Sequence, residues 1–479
     1  MTTLRNLALA VGAGVLLHFS LMLEPAWWAG WLAPLPLLLL AFRAVDWRGR
    51  LWVAAAILGG TATCLPYFHL VMPWPAAVAA WLGQSLAWWF VTMATRRVVL
   101  ACPTPWAMFA YPVLWVAVDT LMAALLPDGN WGSLAYSQAG VLPLLQVASL
   151  AGVAGMLFLL CLPASAMAVV LRHRREPWRR QVAALVVVAA LLVGAVGFGA
   201  WRLRQPLQGV PVRVGLASID DAVGVGASPA YAIGIRDRYD ALVGQLADSG
   251  AQLVLLPEKI AVLRPAGVAA WQAHFGRLAA SHDLWLEVGI GVDDGRHPRN
   301  YAWLFDPSGR RVEDYEKHRL APPERAAGYA AGSAWSLHRV DGHQYGIAIC
   351  KDMHFATLGR EYGRRGADLM LVPAWDFAYV DGWMASRMTL VRGVESGYGI
   401  VRAAREGLLT ASDAPGRVLA EAASAPMPGS LLLATLPVGQ RVQTVYSRTG
   451  DLFGWLCVVL GAACVLMRRR SGGTAAGRG

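Results

Sequence analysis

Long apolar runs dominate the first 203 residues, and only short pieces rich in Arg or in Pro and Trp separate them. Inside lipid no water is available to satisfy backbone N–H and C=O groups, so runs of this kind must be helices. A hydrocarbon core of ~30 Å requires about 20 residues per helix. Eight segments of the chain qualify: 6–23, 28–43, 51–71, 75–95, 105–126, 146–171, 181–201 and 452–467, the second and last being short. Composition agrees. Of 479 residues 56% are hydrophobic and only 15% charged, where a soluble domain carries about 25%. The first run follows Arg5 as a secretory signal would. No small-x-small cleavage site follows it, which predicts a retained helix.

The positive charges orient these helices. Arg43, Arg48 and Arg50 fall between spans two and three, Arg96 and Arg97 between four and five, and Arg172, Arg174, Arg175, Arg179 and Arg180 between six and seven. Arg468 to Arg470 follow span eight. The alternate loops, around Glu24, Pro73–Pro75 and Asp128–Gly140, contain no Lys or Arg. Because Lys and Arg are retained on the cytoplasmic side, both termini are expected there and residues 205–449 outside. The expected division is a membrane domain with seven spans at 1–204, an extracytoplasmic domain at 205–449, a C-terminal transmembrane helix at 450–470 and a disordered cytoplasmic tail at 471–479. The net charge of +11 is thereby explained by topology. No basic face interleaved with aromatics, as a single-strand nucleic-acid groove requires, is present.

Trp27, Trp28, Trp74 and Trp131 lie in the outer loops and suit an aromatic belt at headgroup level. The stretch Asn130 to Gln138 is more polar, aromatic and Gly-containing than a mere connector requires, and it faces the same side as the large domain.

Between 205 and 449 the sequence is ordinary globular protein. Short strand signals recur at Val212–Ala217, Leu253–Leu256, Trp285–Ile290, Trp303–Phe305, Tyr345–Ile349, Leu369–Val372, Gly399–Ala403 and Leu431–Thr435. Helical stretches at Ile235–Asp248, Ala270–Ser281 and Trp383–Glu395 alternate with several of them. This predicts one α/β layered domain on a mixed sheet.

Of six cysteines, Cys64, Cys102, Cys161, Cys457 and Cys464 lie in or beside spans, and Cys350 is the only one in the outer domain. An unpaired thiol in an oxidising compartment points to reactivity, although a buried small hydrophobe is the commoner role for a lone cysteine. Cys350 follows Gly346-Ile347-Ala348-Ile349 and precedes Lys351-Asp352, so a buried strand delivers it to a polar turn, where the next backbone N–H can serve as an oxyanion donor. Glu258 follows Leu253-Val254-Leu255-Leu256-Pro257 and Lys317 follows Tyr315-Glu316 in the same way. Taken singly, a Glu after Pro and a Lys in a charged loop are solvated turn residues. A carboxylate, an ammonium and a thiol at three strand ends form a candidate catalytic group.

These three, in this chain order, resemble the triad of the carbon–nitrogen hydrolase (nitrilase) superfamily. The matching pieces are Arg213–Ala217, Leu256-Pro257-Glu258, Tyr315–Leu320, Gly346–Cys350 and Met388–Glu395. Together with eight spans, and with Trp131–Gln138 followed by Pro143–Phe158, the chain is similar to the membrane-bound apolipoprotein N-acyltransferase branch. The resemblance implies a polytopic α-helical membrane domain carrying an α-β-β-α sandwich in a bacterial inner membrane. It further implies Glu258 as general base, Lys317 as oxyanion stabiliser and Cys350 as acyl-carrying nucleophile. The implied donor is a phospholipid and the acceptor the amine of a diacylglyceryl-cysteine apolipoprotein. Glu324 falls near a further family glutamate, one residue short of its usual spacing. Trp375 and Asp376 match a strand-end segment that lines the pocket in relatives, and core packing is equally open for Trp375. Arg392 and Glu395, three apart on one helix, read as a structural brace.

Two places depart from the family pattern. Lys351 and Asp352 stand where an aromatic and a glutamate are usual, and Lys259-Ile260 where a small Thr/Ser-Ala pair is usual. They leave open a membrane-tethered amidase, or an acyltransferase for another amine. No metal-ligand cluster or nucleotide-binding glycine motif is evident, so no cofactor is expected, and the protein is expected to be a monomer.

Overall fold

The structure is a computed structural model, and it describes residues 2–206, 209–439 and 442–466. The expected tail at 471–479 and Arg468 to Arg470 lie outside the described residues.

Among the described residues six helical segments are long and apolar enough to cross a membrane: Thr3–Ser20, Trp47–Val71, Trp74–Ala101, Pro105–Leu125, Ala148–Arg172 and Trp178–Arg204. Two shorter apolar helices, Ala29–Arg43 and Leu452–Leu466, accompany them. The chain is a multi-pass membrane protein. Proline opens several of the helices at their first turn, where a missing N–H costs nothing, and the Asp46 side chain caps the helix at Trp47 by accepting from Gly49 N at 2.8 Å. Helix Leu452–Leu466 packs on Pro105–Leu125 through Gly454 against Thr120 and Gly461 against Ala117. Such close approach of small residues is how helices adhere in lipid.

Helix Ala148–Arg172 is broken at Ala151 and Gly152, which leave helical geometry. Gly152 has φ +63°, and a Cβ there would lie 2.4 Å from the Tyr446 ring, so only glycine fits. The break exposes new helical N–H groups, and one of them, Val153 N, donates to Glu395 Oε1 at 3.1 Å. A residue of the globular domain thus caps a membrane helix.

The rest is an α-β-β-α sandwich of two mixed sheets. The strands are β1 Val210–Ser218, β2 Leu253–Leu255, β3 Ala261–Leu263, β4 Trp285–Val292, β5 Arg299–Phe305, β6 Arg311–Glu316, β7 Leu337–Val340, β8 His343–Ile347, β9 Leu369–Trp375, β10 Gly399–Arg405, β11 Leu408–Ser412, β12 Val418–Ala423 and β13 Ser430–Val438. One sheet runs β13-β1-β2-β4-β5-β6, with β3 paired to β4; the other runs β12-β11-β10-β9-β8-β7. Pairs β1–β2, β2–β4, β3–β4, β8–β9 and β9–β10 are parallel and the others antiparallel. Val214, Leu216, Leu255, Leu304, Ile347, Leu371 and Val401 fill the space between the sheets. Helices Pro229–Asp248 and Pro265–Ser281 cover the first sheet, and Ala356–Arg365 the second. All eight expected strands are present. Five more were missed: short β3, the charged or edge strands β6, β7 and β12, which bury too little apolar surface to leave an alternating signal, and β11, five residues of mixed character buried on both faces.

The two halves meet through the loops that lack Lys and Arg. Asp128 pairs with Lys351 and, at 3.1 Å, with Arg325. Tyr67 donates to Asp381 Oδ2 at 2.9 Å, and Trp131 stacks between Tyr67 and His354 at centroid distances of 5.5 and 4.9 Å. Trp27, Trp28 and Trp74 are exposed, whereas Trp131 is drawn into the junction. Buried Arg392 meets Glu395 at 3.1 Å and donates to Tyr136 Oη at 3.2 Å, so the expected brace ties its helix to the Asn130–Gln138 stretch.

Candidate active site

Strand β2 ends at Leu255, and the turn that follows presents Glu258. Strand β6 ends at Glu316 and presents Lys317, and β8 leads through Ala348 and Ile349 to Cys350. Cys350 opens a 3₁₀ turn, Cys350–His354, with φ +47°, left-handed and unusual for a residue with a Cβ. Backbone strain of this kind clusters where a side chain must be aimed. Asp352 over-determines the turn. It is fully buried and accepts from Ile349 N at 3.0 Å, His318 N at 3.1 Å, Arg319 N at 2.6 Å and Tyr315 Oη at 2.8 Å. One carboxylate therefore fixes the cysteine turn to the lysine segment.

The three chain ends converge. Lys317 Nζ lies 2.8 Å from Glu258 Oε1 and 2.8 Å from Glu324 Oε2. Asn300, on β5, donates from Nδ2 to Glu258 Oε1 at 2.6 Å and to Glu324 Oε1 at 2.7 Å. Glu258 Oε1 is thus fully occupied, while Oε2 is buried and accepts nothing from the protein. Glu324 also accepts from Ala321 N at 2.9 Å and from Lys259 Nζ at 2.8 Å.

Electrostatics divide the roles. Burial pushes the Cys350 thiol up to about 12, with the Glu258 charge adding to that and Lys317 and Arg402 opposing it. At rest Cys350 is a neutral thiol, and any attack by its sulfur would require a base. Lys317 is held well above its ordinary value: burial disfavours its charge, but Glu258 and Glu324 outweigh that, so it is an ammonium. Glu324 is buried yet held well below the ordinary carboxylate range by Lys317 and Lys259.

A cavity of about 870 Å³ opens over these groups. Glu258, Lys317, Cys350 and Trp375 form one end; Leu70, Val71, Ala80, Gly83, Ala87 and Met122 of the membrane helices form the other. Polar chemistry and a wall of lipid-like character share one space. Among the described residues no group of three or more His, Cys, Asp or Glu side chains is placed to hold a metal.

Two family profiles match the chain. Residues 13–166 match the apolipoprotein N-acyltransferase N-terminal domain, and residues 233–413 match carbon–nitrogen hydrolase. The apolipoprotein N-acyltransferase of Geobacter metallireducens is 25% identical over 98% of this chain and 96% of its own length. That of Gloeobacter violaceus is 26% identical over 98% and 94%. Over nearly its whole length the chain is thus similar to apolipoprotein N-acyltransferases, and the segment around Glu258, Lys317 and Cys350 is similar to carbon–nitrogen hydrolases. Among solved structures, an amidase from Nesterenkonia sp. superposes with a TM-score of 0.42 at 21% identity, over 52% of this chain and 97% of its own.

The two departures at Lys351 and Lys259 resolve differently. Lys351 turns away from the cysteine. Its ammonium is directed to Asp128 of the membrane domain and to Leu320 O at 3.0 Å, and the charges that act most strongly on Cys350 are Glu258, Lys317, Arg402 and Asp376. Lys259 sits beside the triad and lines the cavity. Trp375 lines it too, with Arg405 3.9 Å and Lys259 5.1 Å from its ring centre, so it is both wall and packing element. Asp376 forms a fully buried bidentate pair with Arg402.

Sequence reasoning missed Asn300, Arg402, Asp381 and Asp128. Arg402 had a signal: it interrupts the wholly buried strand Gly399–Arg405, where an unpaired cation is prohibitive. Asp381 caps no obvious pattern. Burial and the nearby Asp376 charge raise its carboxyl to about 7.

Proposed function

We propose that this protein transfers a fatty acyl chain from a membrane phospholipid, through a thioester on Cys350, to the N-terminal amine of a diacylglyceryl-cysteine apolipoprotein. In this reading Glu258 Oε2 takes the Cys350 proton and the thiolate attacks the ester carbonyl. The Lys317 ammonium and the Lys351 backbone N–H stabilise the oxyanion. The tetrahedral species collapses, the C–O bond breaks, and the leaving lysophospholipid alkoxide takes the proton from Glu258. In the second half the acceptor amine attacks the thioester, Glu258 removes its proton, and the C–S bond breaks. The proton returns to Cys350 as the amide forms.

The single observation that carries the reading is the shared cavity, with the Glu258, Lys317 and Cys350 groups at one end and membrane helices at the other. A lipid held there need not be drawn into water, which would cost ~0.8 kcal/mol per exposed CH₂. A small-amide hydrolase has no use for such a wall, and this favours acyl transfer over amidase chemistry. The positive-inside pattern supports an extracytoplasmic position for the catalytic domain. Depletion of the protein, followed by mass spectrometry of lipoprotein N-termini, tests the proposal. Diacylated forms with free amines should accumulate, and fully triacylated lipoproteins would contradict it.

A further inference from the structure

Lys259 follows the proposed base directly, and its backbone is left-handed, with φ +50°. It is buried, and its ammonium lies 2.8 Å from Glu324 Oε1 and 3.8 Å from Glu258 Oε1. The rings of Trp375 and Tyr329, 5.1 and 5.0 Å from Nζ to their centres, flank it. The dry cluster therefore holds two carboxylates, Glu258 and Glu324, against two ammoniums, Lys317 and Lys259, with Asn300 bridging the carboxylates. Two negative charges crowded against a single cation would favour protonation of one of them, and the candidate is Glu258, whose buried Oε2 has no partner to lose. A protonated Glu258 cannot accept the thiol proton.

We propose that Lys259 is a positioning residue for the chemistry at Cys350: its ammonium balances the Glu258–Glu324 pair and keeps Glu258 an ionised base. The assignment rests on the reading of Glu258 as base. The groups facing Glu258 are Lys317 from the end of β6, Lys259, Glu324, Cys350, Tyr329, Arg405 from β10 and the neutral Asn300. Lys259 is the cation that touches Glu324 Oε1, whereas Lys317 is shared between Glu324 Oε2 and Glu258 Oε1.

The test is the pH dependence of Cys350 alkylation by iodoacetamide in the full-length protein in detergent, read by mass spectrometry of the Cys350 peptide. In K259M the acid limb should move up by about one to three pH units, the range expected for losing a cation near 4 Å away in a partly screened interior. K259R should restore it to within about half a unit. K259M/E324Q, neutral again, should return toward the wild-type limb, a recovery that a merely structural lysine does not produce. If K259M does not fold, E324Q alone carries the test, because it leaves a net positive cluster and should move the limb down. A K259M limb that coincides with wild type, a double variant that stays with K259M, or an unmoved E324Q limb overturns the assignment. Alkylation requires no acyl donor. Wild-type protein that shows the expected limb yet is not acylated by phospholipid would contradict the proposed function and leave the role of Lys259 intact.

Discussion

Gly289 on β4 offers a way to move the proposed base without touching it. Its missing side chain faces the turn that carries Glu258: an added Cβ would lie 2.3 Å from Pro257 O and 2.6 Å from Glu258 Cα, against 3.4 Å for ordinary contact. Strand and turn would have to separate by about 1 Å. The flanks are pinned, since Leu256 N donates to Glu287 O at 2.9 Å and Ile260 N to Gly289 O at 3.0 Å, so the displacement concentrates on Pro257 and Glu258. Bonds of 2.6 and 2.8 Å from Asn300 and Lys317 to Glu258 Oε1 do not survive such a shift. In Gly289→Ala we expect about 1–3 kcal/mol of lost stability from overpacking and a fall on the order of 100-fold in the rate of Cys350 acylation. Gly291→Ala is the control: it lies on the same face of the same strand, and the atoms nearest its Cβ belong to the Val262 side chain, the first at 3.0 Å. It should cost similar stability and leave the rate within a few-fold. Single-turnover labelling of Cys350, with thermal unfolding of each variant, decides the matter. A folded Gly289→Ala protein at wild-type rate, or a Gly291→Ala protein equally slow, would refute the reasoning.

Two further outcomes follow from the junction between the halves. Asp128→Asn removes the carboxylate shared by Lys351 and Arg325, and proteolysis within residues 126–131 should accelerate by about tenfold, as the loop opens locally more often; an unchanged cleavage rate would count against the latch. Burial raises the Glu395 carboxyl to about 7 despite Arg392. A raised value in the folded state means that its stabilising effect is complete below the ordinary value of 4.5 and is lost as pH climbs through 7, by about 3 kcal/mol. Glu395→Gln should therefore flatten the decline in unfolding midpoint between pH 4.5 and 8, and parallel curves for the two proteins would contradict this.

The membrane helices were legible because lipid permits one solution for a long apolar run, and the charge alternation gave them an order. Glu258, Lys317 and Cys350 were legible because each follows a strand that stops abruptly at a polar turn. The partners that hold the three together were not. Asn300 sits in the middle of β5 and bridges residues 42 positions upstream and 24 downstream, a relation set by sheet register alone. Lys351 reads as a neighbour of the nucleophile, yet its rotamer carries it to Asp128, 223 residues away in sequence. The break at Gly152 depends on Tyr446 and Glu395, each of them remote in sequence.

The central claim is that Cys350 accepts an acyl group from a membrane lipid. Purified full-length protein should be incubated with phospholipid alone, without acceptor, and examined by intact-protein and peptide mass spectrometry. The account predicts one fatty acyl chain on the Cys350 peptide, released by hydroxylamine, with a matching amount of lysophospholipid and no adduct in Cys350→Ala. An unmodified Cys350 peptide in folded wild-type protein, or an acyl chain that persists in Cys350→Ala, would contradict it.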